Sequence, residues 1–190
     1  MIVVIDTSSL LSLVRYYLPF DQNNKLFNFI KKEIQNHNII VIDEVLNECK
    51  MVSGKLVVKK LDFLIDKDFL KAHKIPVKTE NLIPPSPKKF YNLVDNNFIT
   101  TNAKKLNSAQ FEQRKKEFLD SADARMIIYL LTQISKNSFE KIILVTEETE
   151  GSNDLKAFKK LPAISKILDI EVKTLPELLE LYTDINFSFE

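Results

Sequence analysis

Acidic side chains recur where apolar strands run out or helices begin, and several of them together could hold a metal. The run Ile2-Val3-Val4-Ile5 ends at Asp6, which Thr7, Ser8 and Ser9 follow. Asp43, Glu44 and Glu48 come after the run Ile39-Ile40-Val41-Ile42. Asp120 and Asp123 open a helical stretch near 121, and Glu147 and Glu148 follow a strand ending at Thr146, with Asp154 a little beyond. Glu48 lies three residues after Val45 and four before Val52, so it shares their helix face. Asp123 lies four residues before Ile127 and seven before Leu130, continuing an apolar stripe. An acid on the inward side of a helix needs a partner, because an unpaired buried charge is costly. A divalent cation suits several converging carboxylates, and an oxygen-only ligand set suits Mg²⁺ or Mn²⁺.

Each acid also has a plainer reading. Asp6 and Asp43 fit helix caps, and Asp120 with Asp123 has the spacing of a cap and its third helical residue. Glu44 and Glu147 fit exposed positions. Thr146 either ends a strand or offers a hydroxyl to orient a metal-bound water. These readings do not explain why several sheet-to-helix junctions each carry an acid.

The elements that must position these groups follow from hydrophobic patterning. Strands are expected at 2–6, 39–42, 141–146 and 170–173. Helices are expected at about 9–17, 22–36, 43–52, 55–66, 121–136, 155–168 and 175–182. Strands separated by helices imply a three-layer α/β/α fold with a mainly parallel sheet of four or five strands. Strand one should lie centrally, because Ile2–Ile5 is apolar on both faces. Ligands of such sheets bind beyond the strand C-termini, where these acids fall. Residues 67–119 read as an elaboration within a single domain spanning 1–190: a proline-rich loop near 74–87, then polar helix from 88 to 119.

Composition narrows the chemistry. Two glycines leave no room for a Gly-rich phosphate loop, and two histidines with one cysteine cannot build a His/Cys zinc site. The lone Cys49 has no intramolecular disulfide partner, no apolar run is long enough to span a bilayer, and no signal peptide is evident. A cytoplasmic protein is the expectation. Residues 50–89 hold ten lysines against four acids, whereas residues 147–190 hold five lysines against ten acids. The acidic C-terminal segment is therefore set aside as a source of cations for a nucleic acid.

The motifs together resemble the PIN-domain family of metal-dependent ribonucleases. Asp6-Thr7-Ser8-Ser9-Leu10-Leu11 looks like the family's opening motif, with Ser8 where many members carry asparagine. Val45-Leu46-Asn47-Glu48, Ser121-Ala122-Asp123-Ala124 and Val145-Thr146-Glu147-Glu148 are similar to the second, third and fourth motifs. Glu148 stands where Asp is more usual, as in a PIN subfamily of unknown function that the segments 160–164 and 170–175 also resemble. The likeness covers about 1–66 and 120–182; residues 67–119 have no counterpart.

The resemblance implies an Mg²⁺- or Mn²⁺-dependent endoribonuclease with a PIN-like, Rossmann-like fold. Asp6, Glu48, Asp123 and Glu148 would be its catalytic metal ligands, with Ser8, Asp120 and Thr146 supporting them from behind. It further implies an RNA substrate, an antitoxin partner if the chain is the toxin of a toxin–antitoxin pair, and a homodimer as one oligomeric state. A PIN-like module that binds RNA or protein without cutting is the alternative. A phosphohydrolase with Asp6 as nucleophile would need a second aspartate where Ser8 stands, and the spacing fits a phospho-receiver domain poorly. The insertion should lie beside the acidic cleft. Its cations and those around it (Lys55, Lys59, Lys60, Lys88, Lys89, Arg114, Lys115, Lys116) are candidates to steer RNA, with Arg15 on the first helix. Packing on the far side as an oligomer contact is the competing placement.

Overall fold

The computed structural model describes residues 1–51, 53–136, 140–151 and 156–182. Asp154 lies outside them. Four parallel strands form one sheet in the order β2-β1-β3-β4: β1 (Ile2–Ile5), β2 (Ile39–Ile40), β3 (Ile142–Val145) and β4 (Glu171–Lys173). Helices flank it to give a three-layer α/β/α fold. β1 is an interior strand. It pairs Val3 with Ile39 on one side, and Ile2 through Ile5 with Ile142 through Val145 on the other. Val3, Val4 and Ile5 are fully buried, as an unbroken β-branched run in an interior parallel strand must be.

The helices are α1 (Thr7–Ser12), α2 (Lys25–Gln35), α3 (Asp43–Met51), α4 (Leu56–Lys60) and α5 (Lys67–Ala72). They continue as α6 (Pro87–Asn96), α7 (Ser108–Leu119), α8 (Ala122–Lys136), α9 (Leu161–Ile167) and α10 (Leu175–Leu179). Several boundaries differ from the sequence reading: the polar helix expected from 88 to 119 is two helices, α6 and α7, and three other differences have a local reason. α1 starts two residues early because Asp6 itself is the cap, its Oδ1 accepting from the Thr7 N–H at 2.6 Å. The helix expected over 55–66 breaks at Leu61, whose backbone leaves the helical region. The helix expected from 155 begins only at Leu161, with Pro162 in its first turn, because the residues before it pair with the insertion.

The insertion is fastened twice. After β2, Ile42 forms a parallel bridge with Val77, with the Asp43 N–H donating to the Val77 carbonyl and the Val77 N–H to that of Val41, both at 3.0 Å. Further on, Ile99 bridges Phe158 in antiparallel fashion, the Thr100 N–H donating to Ala157 at 2.9 Å and the Lys159 N–H to Phe98 at 2.7 Å. Phe90, Val94, Phe98 and Phe118 join the same buried cluster as β1 and β3.

Asp43 belongs to this fastening. It is buried, and it accepts from the Thr79 N–H at 3.0 Å, the Thr79 hydroxyl at 2.5 Å and the Glu44 N–H at 3.2 Å. Thr79 is itself fully buried. Asp43→Ala should therefore strand both donors of the buried Thr79 and destabilise the protein by about 3 kcal/mol, read by urea denaturation. A loss below about 0.5 kcal/mol would mean that Thr79 finds other partners.

Candidate functional site

Asp6 and Glu148 follow the C-terminal ends of β1 and β3, Glu48 comes from α3 and Asp123 from α8, and hydroxyls hold the carboxylates of Asp6 and Glu48. Asp6 continues β1, its N–H donating to the Val145 carbonyl at 2.9 Å. Its Oδ2 accepts from the Ser8 hydroxyl at 2.6 Å and the Thr146 hydroxyl at 2.9 Å. These hydroxyls in turn accept from the backbone that follows β3: the Glu147 N–H donates to Ser8 at 3.0 Å, and the Glu148 N–H to Thr146 at 3.1 Å. Ser8 and Thr146 thus tie the ends of two adjacent strands to one buried carboxylate.

Glu48 reaches the cleft from α3, and its Oε2 accepts from the Thr7 hydroxyl at 2.5 Å. It stands where solvent reaches it, yet partial burial lifts its carboxyl above the ordinary range against the pull of Thr7, helped by the charges of Asp6, Glu44 and Glu148. Asp123, in the first turn of α8, is shifted furthest. Burial pushes it up to about 7, with the fields of Asp6, Glu148 and Glu48 adding to the rise and Lys156 opposing it. Burial, then Glu48 and Asp6, also push the neighbouring Cys49 thiol up to about 12, which leaves it un-ionised and inert.

Asp6, Glu48, Asp123 and Glu148 therefore lie within one another's electrostatic reach. Asp120 does not join them. Its Oδ1 pairs with the Arg125 guanidinium at 3.5 Å, and it lines a separate hollow with Lys115 and Lys116. It ends α7, so its side chain leaves a different helix turn from that of Asp123. Glu147 is half-buried and structural: its Oε1 accepts from the Leu175 N–H at 2.6 Å, capping α10.

The four acids fit a hard divalent cation by donor type, since all are carboxylate oxygens. Glu148 Oε2 is buried and has no hydrogen-bond partner, which is costly for a carboxylate unless a cation attends it. Among the described residues, however, no three His, Cys, Asp or Glu side chains stand ready-made as a coordinating group.

Asp123 opens on a hollow of about 530 Å³ between α7 and the segment leading into α9. Arg114 and Phe118 of the insertion line one part, and Lys156, Phe158, Lys159 and Lys160 another. So the insertion does lie beside the acids, but most of the cations come from the segment that net charge had set aside. A regional sum hides three lysines grouped within five residues. Of the insertion's cations, Lys115 pairs with Asp95 at 2.5 Å, and Lys89 lines a hollow beside Pro84 and Pro85. Thr7 was also missed as a partner of Glu48; its place beside Asp6 was the available signal.

No family model, curated protein or solved structure matches this chain. Among the described residues no helix is long and apolar enough to cross a membrane.

Proposed function

We propose that the chain is a nuclease that hydrolyses RNA phosphodiester bonds with Mg²⁺ or Mn²⁺. The observation that carries the reading is the buried Asp6 carboxylate held by Ser8 and Thr146 beside a buried, unpartnered Glu148 Oε2, with Glu48 and Asp123 near enough for these charges to raise them. The choice of RNA rests on the likeness of the four motifs to PIN-domain ribonucleases. Asp6, Glu48, Asp123 and Glu148 would hold the cation. Bound there, it would lower the pKa of a water and neutralise charge on the phosphoryl oxygens. The chain's own residues do the rest. Ser8 and Thr146 fix the Asp6 carboxylate, and Thr7 orients Glu48. Without the cation Asp123 is raised to about 7, so binding a cation near neutrality would displace its proton, and Lys156 favours the charged form. A cytoplasmic location, an antitoxin partner and a homodimer belong to the same proposal.

One observation favours a second reading, a PIN-like module that binds RNA or protein without cutting: no ready-made coordinating group exists among the described residues. Cleavage of a labelled RNA with Mn²⁺, with Mg²⁺ and with chelator separates the two. Under the nuclease reading the parent cuts with metal only, and both Asp6→Asn and Glu148→Gln fall to background. Full activity in chelator, or in Asp6→Asn, would exclude the metal mechanism. RNA binding with neither cutting nor calorimetric Mn²⁺ binding would establish the second reading.

A further inference from the structure

The hollow beside Asp123 is a composite of parts remote in sequence. Phe118 and Phe158 stack almost parallel, 4.5 Å apart with 11° between their planes, and both are nearly buried. Both line the hollow and give it an apolar patch. Around it stand cations on exposed stems, Arg114 of α7 and Lys156. Arg114 also pairs with Glu117 at 2.8 Å, but both side chains stay largely in solvent, where such a pair is weak and easily exchanged for a phosphate. Lys156 and Asp123 line the same hollow, which joins its cations to the acids. An apolar patch, a basic rim and an acidic end suit a molecule with a flat apolar body and an anionic backbone.

We propose that this hollow seats the unpaired nucleotide next to the cleaved phosphate, with Arg114 and Lys156 on its backbone and its base against the Phe118–Phe158 patch. The choice of an RNA rests on the nuclease reading. The preference for a single strand is independent of it: a volume of about 530 Å³ takes one splayed base with its sugar, whereas a duplex keeps its bases stacked away from any such recess. Base against aromatic surface, with cations on the phosphates, is the usual physics of single-strand binding. The insertion thereby acquires a role in specificity, since α7 supplies one wall.

The test is binding, measured apart from cleavage. A labelled twelve-residue oligouridylate is titrated into the full chain in chelator over a range of salt concentrations. The double variant R114S/K156S removes two exposed cations, and K67S/K71S on α5 removes the same charge elsewhere; thermal melts check that both fold. R114S/K156S should lose at least about tenfold in affinity, and its salt dependence should flatten by about 1.4 in log–log slope for two lost contacts. K67S/K71S should bind like the parent, and an RNA duplex of equal length should compete poorly. Unchanged affinity and slope in R114S/K156S, an equal loss in K67S/K71S, or equal competition by the duplex would each overturn the assignment. A parent that binds in this pattern but never cuts RNA with Mn²⁺ would sink the nuclease reading and leave the hollow as a seat for an unpaired nucleotide, with no phosphate cleaved beside it. A parent that cuts, with R114S/K156S binding unaltered, would do the reverse.

Discussion

Asp123→Asn should stabilise the metal-free protein by about 2–4 kcal/mol at pH 8 and remove most of its pH dependence between about 4 and 7. In the folded chain Asp123 holds its proton up to about pH 7, whereas a free aspartate releases it near 3.8. Between those values the folded state binds more protons than the unfolded one, so stability must fall as pH rises. The favourable contribution is complete below 3.8 and gone above about 7, where a charged Asp123 faces Asp6, Glu148 and Glu48. Asparagine has the shape of the protonated acid and never charges. Urea denaturation in chelator at pH 5, 6, 7 and 8 checks this, and a parent curve that is flat over that window would show the carboxyl to be unperturbed. Under the proposed metal mechanism, Mn²⁺ should reverse the ranking, stabilising the parent more than the variant. RNA cleavage by the variant should fall to background. Asp6→Asn should behave differently. The Asp6 carboxylate accepts from two hydroxyls and a backbone N–H, and an amide cannot accept all three. Its loss of activity should come with a loss of stability, not a gain.

Phe98→Ala should destabilise the protein by about 3–5 kcal/mol. Phe98 is fully buried and meets Phe90 and Phe118 edge to face, at 6.1 and 6.5 Å between ring centroids. Its carbonyl also accepts from Lys159, so it sits where the insertion joins the body of the fold. Removing the ring opens a cavity between α6, α7 and the segment before α9, a region too constrained by backbone pairing to collapse fully. Calorimetry should show a melting temperature lower by roughly 10 °C. A change of less than about 2 °C would mean that the insertion packs independently of the core.

Three of the strands were readable because they are nearly pure β-branched runs, whereas β4 (Glu171–Lys173) has only Val172 of that kind. Ile2–Ile5 and Ile142–Val145 have little reason to adopt another structure, and acids placed just after them fall at the strand ends by construction. Asp123 was readable from helical spacing, but Glu48 was not: it is exposed while Val45, Leu46 and Cys49 of the same helix are buried, and it meets the Thr7 hydroxyl instead of the inward face. The fastening of the insertion was not. Ile42–Val77 and Ile99–Phe158 are single bridges between residues far apart in sequence, with no turn or periodicity to announce them. Asp43 and Asp120 look alike on paper, as acids near helix termini. Only the fold reveals that one serves Thr79 and the other Arg125. Lys156 was hidden for a different reason: charge summed over a segment says nothing about which few side chains share a surface.

The two bridges divide what would be one long excursion into three shorter ones, and the strain of a change in length is confined to the piece in which it occurs. Closing a flexible loop costs only logarithmically more as it grows. The stretch from Thr100 to Asn107, between the second bridge and α7, can therefore lengthen or shorten at small cost while the pairing of β1 with β3 keeps Asp6 in register with Val145. Because that stretch contributes Asn102 and Leu106 to the wall beside Asp123, the chain separates the part that must stay fixed from a part free to diverge.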